Sequence, residues 1–185
     1  SAEIGLNEVT GFKVNQAGKG YSKAKLVGCA RAASGITSYT EDKLTDFRKK
    51  NIGIVFQSFY LIPNYTALEN VALSLEINSQ KNALNLAKEI LIDLGLEDRL
   101  QHFPSQLSGG EQQRVAIARA IIKKPELILA DEPTGNLDDE NTQVITDLIF
   151  SVSKKYQKSL CLVTHDIDLA QRCDRIMKIE NGTIV

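Results

Sequence analysis

At 185 residues, 43% of them hydrophobic and 24% charged, the chain has the length and composition of one compact domain with a sizeable core. Its net charge of -1 offers no general attraction to nucleic acid or to an anionic surface. Three cysteines (Cys29, Cys161 and Cys173) form no CxxC pair and no even framework, as in a reducing cytosol, and no apolar run reaches the roughly 18 residues of a membrane helix. Nothing reads as a signal peptide, so any membrane role is expected to run through a partner.

Residues 1–35 are rich in Gly, Ala, Lys and Ser and contain only short apolar pieces. Glu41–Lys50 has a polar helical pattern, and "IGIVF" (Ile52–Phe56) reads as a buried strand. Thr66-Ala-Leu-Glu69 is a capping box that predicts a helix through about Leu75. Ala83, Leu86, Ala87, Ile90, Leu91 and Leu94 recur at helical spacing, with Gly95 as the stop. Ser108-Gly-Gly-Glu111 is a second capping box, opening a helix expected to run to Lys123 and Lys124, just before Pro125. "LILA" (Leu127–Ala130) is all apolar, as a parallel strand covered on both faces should be. A helix over about Asp139–Lys155, the strand "SLCLVT" (Ser159–Thr164), a helix near Ile167–Arg172 and a hairpin around Asn181-Gly182 complete the pattern. Strands that alternate with helices indicate an α/β domain with a mostly parallel sheet.

Two stretches carry chemistry. Asp131 and Glu132 stand where an apolar strand leaves the sheet, the place where open α/β sheets bind ligands. There an Asp can help to hold Mg²⁺ and a neighbouring carboxylate can polarise water. A pair of solvated acids ahead of a turn has the same sequence. Ser108, Gly109 and Gly110 open a helix whose unpaired amides and partial positive charge suit a phosphate, and two glycines would let a ligand approach the backbone. A plain N-cap accounts for them equally well.

In chain order, Gln57 after "IGIVF", "LSGGEQQR" (Leu107–Arg114), "LILADEP" (Leu127–Pro133), "GNLD" (Gly135–Asp138) and His165 in "VTHD" resemble the nucleotide-binding domain of ABC transporters. The wording is most similar to the lipoprotein-releasing and macrolide- or peptide-export branch. The resemblance covers residues 36–185 and implies a P-loop NTPase-like fold, a mostly parallel sheet with helices on both faces, and a helical subdomain over about 58–115. It also implies ATP and Mg²⁺ as cofactors, a transmembrane permease and a second ATPase subunit as partners, and a place on the inner face of the cell membrane. Nucleic acid is not among the implied partners. By the same resemblance Glu132 is the general base, His165 steadies the γ-phosphate, and Asp131 supports Mg²⁺. Gln57 senses that ion or the water and reports to the permease. Ser108, Gly109, Gly110 and Gln112 contact the γ-phosphate held by the second subunit, and Asp138 touches that subunit's site.

The family also uses a P-loop, G-x-x-x-x-G-K-[ST], whose backbone amides wrap the β-phosphate. Residues 1–56 contain no such string. Gly18-Lys19 supplies a GK, but Gly20 follows it and Lys13 stands where the first glycine belongs. Lys19 accordingly reads as an ordinary exposed lysine. No strongly apolar strand leads into it, so the central strand that the family places beside "LILAD" is expected to be missing. At Gly35-Ile36 a short strand and turn of the family are also absent. Residues 1–35 therefore read as an incomplete or altered N-terminal part of the ATPase core. Besides an ABC transport ATPase, a degenerate regulatory subunit and a non-transport ABC ATPase fit this sequence.

Overall fold

The computed structural model describes residues 10–14, 40–180 and 183–184. Gly18, Lys19, Cys29, the Gly35-Ile36 junction and the Asn181-Gly182 turn lie outside the described residues. One mixed sheet has the order β2-β3-β4-β1-β5-β6. Its strands are β1 (Thr10–Val14), β2 (Ile52–Phe56), β3 (Leu127–Asp131), β4 (Ser159–Thr164), β5 (Arg175–Glu180) and β6 (Thr183–Ile184). All neighbouring pairs are parallel except β5 with β6, which closes the sheet as the expected antiparallel pair.

The first strand corrects the sequence reading. Thr10–Val14 is a central strand, paired on one side with β4 and on the other with β5. The "LILAD" strand β3 lies between β2 and β4 and does not touch β1. The stretch "TGFKV" is too short and too mixed to announce a buried strand, because two parallel ladders supply what its hydrophobicity does not.

The helices are α1 (Glu41–Asn51), α2 (Ala67–Glu76), α3 (Ala83–Asp93), α4 (Gly109–Ile121), α5 (Asp139–Lys155) and α6 (Ile167–Gln171), with 3₁₀ turns at Glu97–Arg99 and Pro104–Gln106. Both capping boxes form: Thr66 accepts from the Glu69 amide and Ser108 from the Glu111 amide. Helix α4 stops at Ile121, short of the two lysines, and Lys124 has a left-handed φ of 53°. Gly95, with φ 72°, follows α3 as the sequence indicates. Each crossover from β2 to β3 and from β3 to β4 steps across the sheet in one direction, so right-handedness puts α2–α5 on one face. Helix α1, which precedes β2, then belongs to the other.

Val71, Leu75, Leu91, Val115, Ile117, Ile145, Leu160 and Leu162 fill the core between helices and sheet. Helix α4 lies so close to β2 that a Cβ on Gly53 would overlap the Ala120 carbonyl oxygen and approach Pro125 Cγ at 3.0 Å. Backbone cannot yield as a flexible side chain does, so this glycine sets how deeply α4 sits. Gly53→Ala is expected to destabilise the fold by about 1–3 kcal/mol in denaturant titration. Val144→Ala, at an exposed position on α5, should change it by less than about 0.5 kcal/mol.

Candidate functional site

The site begins with strand register. Phe56 pairs with Asp131, and Asp131 with Val163, so β2, β3 and β4 end level with one another. Lys13 of β1 pairs with Thr164 at the same edge. The residues that leave these strands, Gln57, Glu132 and His165, therefore emerge side by side. That edge is where an open parallel sheet receives its ligand.

Glu132 is the most constrained of them. Its amide extends the β3–β4 ladder by bonding to the Val163 carbonyl at 2.9 Å, and its carbonyl accepts from Gly135 N at 3.0 Å, closing a turn. Between these bonds its φ is 43°, a left-handed value that costs a non-glycine residue about 1–3 kcal/mol. The turn carries its side chain to β4. Oε1 accepts from the His165 amide at 2.8 Å and meets His165 Nδ1 at 2.7 Å, while the Thr164 hydroxyl donates to Oε2 at 3.3 Å. The Glu132 side chain is only 17% exposed, whereas that of His165 is 72% exposed. With Nδ1 engaged, the imidazole presents Nε2 to solvent. Burial, and next the adjacent Glu132 carboxylate, hold the Asp131 carboxyl above its ordinary range.

Gln57 is half-buried and lies across the loop that follows β3. Its Nε2 donates to Asn136 Oδ1 at 3.3 Å, and Asn136 Nδ2 donates to the Gln57 carbonyl at 3.0 Å. The following residues are gripped from α4, where the Arg119 guanidinium donates to the carbonyls of Tyr60 at 2.5 Å and Phe59 at 2.6 Å. Tyr60 has φ 47° and packs edge-on against Phe56 with ring centroids 5.2 Å apart.

The start of α4 is a complete capping box. Glu111 Oε2 accepts from the Ser108 amide at 2.8 Å, and Ser108 Oγ accepts from the Glu111 amide at 3.2 Å. Arg99, from the preceding 3₁₀ turn, pairs with Glu111 Oε1 at 2.8 Å. Ser108 is exposed, Gly109 half-buried and Gly110 buried. A side chain on Gly110 would overlap Asn141 Oδ1, so packing against the first turn of α5 already demands this glycine. The Gln112 side chain turns back to the Leu107 carbonyl at 3.1 Å. Asp138 caps α5, accepting from the Asn141 amide at 2.8 Å, and that backbone hydrogen bond is the chief reason its carboxyl lies below the ordinary range.

Sequence reasoning passed over the residues that join these pieces. Gln113 is fully buried, donates to the Pro133 carbonyl at 2.7 Å and to the Phe56 carbonyl at 3.4 Å, and so ties α4 to the exits of both β2 and β3. A signal existed, since Gln113 shares a helical face with Gly110, Ile117 and Ile121, and all are buried. Asn136, Asn141 and Arg119 act across long sequence separations and left none.

Among the described residues, no three His, Cys, Asp or Glu side chains converge to hold a metal by themselves. Asp131 and the side-chain amide of Gln57 offer oxygen donors, the kind that suits a hard cation such as Mg²⁺ arriving with a phosphate ligand. No described helix is long and apolar enough to cross a membrane.

A family model described as ABC transporter matches residues 14–135, beginning at the last residue of β1. The chain belongs to the ABC transporter family. It is 45% identical over 183 residues to the ABC transporter ATP-binding protein YbbA of Escherichia coli, an alignment that covers 92% of this chain and 80% of that protein. It is 48% identical over 151 residues to the lipoprotein-releasing system ATP-binding protein LolD of Treponema denticola, covering 80% of this chain and 67% of LolD. The dimeric structure of MJ0796, a bacterial ABC transporter cassette, is 32% identical, covers 99% of this chain and 85% of that one, and superposes with a TM-score of 0.75. The same cassette bound to ADP and Pi gives a TM-score of 0.74. These relatives carry the α/β ATPase cassette, and their ATP-binding proteins include the lipoprotein-releasing type anticipated above.

Glu111 gives the start of α4 a pH dependence. The backbone hydrogen bond from Ser108 is the largest cause that lowers its carboxyl below the ordinary value, and the Arg99 guanidinium adds to it. A carboxylate lowered in the folded state contributes stability above its unfolded pKa, and that contribution is lost as pH falls through the folded value. Glu111→Gln should therefore be less stable than the parent at pH 7, with the difference shrinking below about pH 4.3. Thermal unfolding midpoints measured from pH 7 to pH 3 check this.

Proposed function

We propose that the chain is the ATP-binding subunit of an ABC transporter, coupling ATP binding and hydrolysis to substrate export or extraction through a transmembrane permease. The observation that supports this reading best is the level exit of Gln57, Glu132 and His165 from adjacent strands, with Glu132 hydrogen-bonded to His165. Such a subunit would sit at the cytoplasmic face of the membrane, held there by the permease.

In this reading Asp131 and the Gln57 amide oxygen would hold the Mg²⁺ that comes with ATP, which would supply charge neutralisation at the phosphates. Glu132 takes the proton from the attacking water. Its Oε1 already serves the His165 amide and ring, so Oε2, with only the longer 3.3 Å contact to Thr164, is the oxygen that faces the water. His165 could donate from Nε2 to the γ-phosphate only as the doubly protonated ring, because the proton on Nδ1 is already given to the Glu132 carboxylate. Ser108, Gly109, Gly110 and Gln112 act on ATP held by a second copy, and Asp138 lies at the seam between copies.

A second reading, a regulatory subunit without its own turnover, is favoured by one feature. The residues after β1 contain no G-x-x-x-x-G-K-[ST]. Micromolar binding needs roughly 8 kcal/mol, and an exposed helix terminus supplies only about 0.3–1 kcal/mol. Wrapping of the β-phosphate would have to provide much of the difference.

Calorimetry with protein of confirmed mass tests both the missing loop and the catalytic reading of the strand ends. The 185-residue chain is expected to bind MgATP more weakly than micromolar and to remain monomeric. Setting a complete G-x-x-x-x-G-K-S loop after Val14 should confer binding, turnover and ATP-dependent dimerisation. If that loop conferred none of these, the catalytic reading of the strand ends would fail. Micromolar binding by the unaltered chain would instead place a phosphate cradle within residues 15–39.

In the chain with the completed loop, Glu132→Gln should keep MgATP binding and stop hydrolysis, because an amide takes no proton from water. A stable dimer on a sizing column in MgATP is the expected result. Hydrolysis at the parental rate would remove Glu132 from the general-base role.

A further inference from the structure

The Gln57–Asn136 contact fixes more than a position. Asn136 Nδ2 donates to the backbone carbonyl of Gln57 at 3.0 Å, and a carbonyl can only accept. Asn136 therefore cannot turn its amide over without setting two oxygens against each other. Its Oδ1 is left facing the Gln57 side chain, and an oxygen there selects the NH₂ end of that carboxamide, at 3.3 Å. The carbonyl end of Gln57 is turned away from the loop. One asparagine thus reads the backbone of Gln57 with one hand and orients its side chain with the other.

Gly135 makes the arrangement possible. A Cβ at this position would lie 2.6 Å from Gln57 Nε2, 3.1 Å from Cδ and 3.4 Å from Cγ. The outer half of the Gln57 side chain lies where a side chain at position 135 would displace it. Gly135, Asn136 and Glu132 share one short loop, whose start is closed by the Gly135 amide on the Glu132 carbonyl.

We propose that Asn136 is a positioning residue that sets the polarity of the Gln57 carboxamide, keeping Oε1, the end able to ligate a cation or accept from water, turned out from the loop. The catalytic consequence rests on the reading of Gln57 given above, whereas the orientation itself does not. An unanchored glutamine would present either end, and its NH₂ end repels Mg²⁺. Because the anchor belongs to the loop that carries Glu132, the orientation of Gln57 and the placing of Glu132 are set together.

The test needs no turnover. Side-chain amide resonances of Gln57, assigned by their loss in Gln57→Ala, are compared in ¹H–¹⁵N spectra of the parent, Asn136→Ala, Asn136→Asp and Gly135→Ala. Asn136→Ala removes donor and acceptor, and Gly135→Ala lifts Gln57 away without touching Asn136. Both should shift the Gln57 amide and speed its exchange with water severalfold while backbone dispersion is retained. Asn136→Asp keeps the volume but sets a second oxygen against the Gln57 carbonyl, so it should shift the Gln57 amide as Asn136→Ala does, an outcome that a merely space-filling Asn136 would not produce. Unmoved resonances in Asn136→Ala would overturn the proposal, as would a Gln57 amide at its parental position in Asn136→Asp. If Asn136→Ala failed to fold, Gly135→Ala would carry the same decision. If Gln57→Ala in the chain with the completed loop left the Mg²⁺ requirement of ATP binding unchanged, the reading of Gln57 would fall, and the amide spectra would still judge the pairing.

Discussion

The register that sets Phe56, Asp131 and Val163 level across three parallel strands is the constraint on which the rest of this site depends. Parallel ladders have a side-chain period of two, so a slip by one residue would turn Asp131 to the opposite face and drop Glu132 out of reach of His165. The register is held by burial. Val55, Ile128 and Ala130 are buried at alternate positions of β2 and β3, and a slip would exchange them for exposed or half-exposed neighbours, while Leu160, Cys161 and Leu162 of β4 are all buried. Functional geometry at the strand ends is therefore a by-product of hydrophobic alternation further down the sheet.

Above those ends, the loop after β3 acts as a meeting point. Gln57 reaches it through Asn136 and over Gly135, α4 through Gln113 on the Pro133 carbonyl, and β4 through His165 and Thr164 on Glu132. Few of these contacts use an apolar side chain. They are hydrogen bonds and glycine-permitted approaches, which are directional and lost over fractions of an ångström. A loop so held can take up a small number of discrete positions. The left-handed φ of Glu132 adds a strained residue at its root.

Arg119 extends the same network toward the exposed aromatic segment after β2. Its guanidinium holds two consecutive carbonyls, of Phe59 and Tyr60, and leaves the Tyr60 ring 68% exposed. Because Arg119 and Gln113 stand on one helix, a displacement of that segment is shared between α4 and the β3 loop. An arginine fits here since its planar fork can satisfy two acceptors at once, which a lysine cannot.

The sequence by itself determined whatever depends on neighbours close along the chain. Both capping boxes, the end of α3 at Gly95, the limits of α5 and β4 and the all-apolar character of β3 follow from residues within a few positions of one another. The motif order that marks the family was also readable there, because its residues occur in fixed short strings. Only the tertiary structure decided what depends on distant partners. It made a central strand of Thr10–Val14, whose place comes from ladders with β4 and β5 and not from its own hydrophobicity. It assigned Gly110 to packing against Asn141, gave Gln113 its buried role, and paired Asn136 with Gln57 across 79 positions. Local patterns are written in propensity and periodicity, whereas contacts between distant polar groups cost nothing in sequence pattern until the sheet brings the strand ends together.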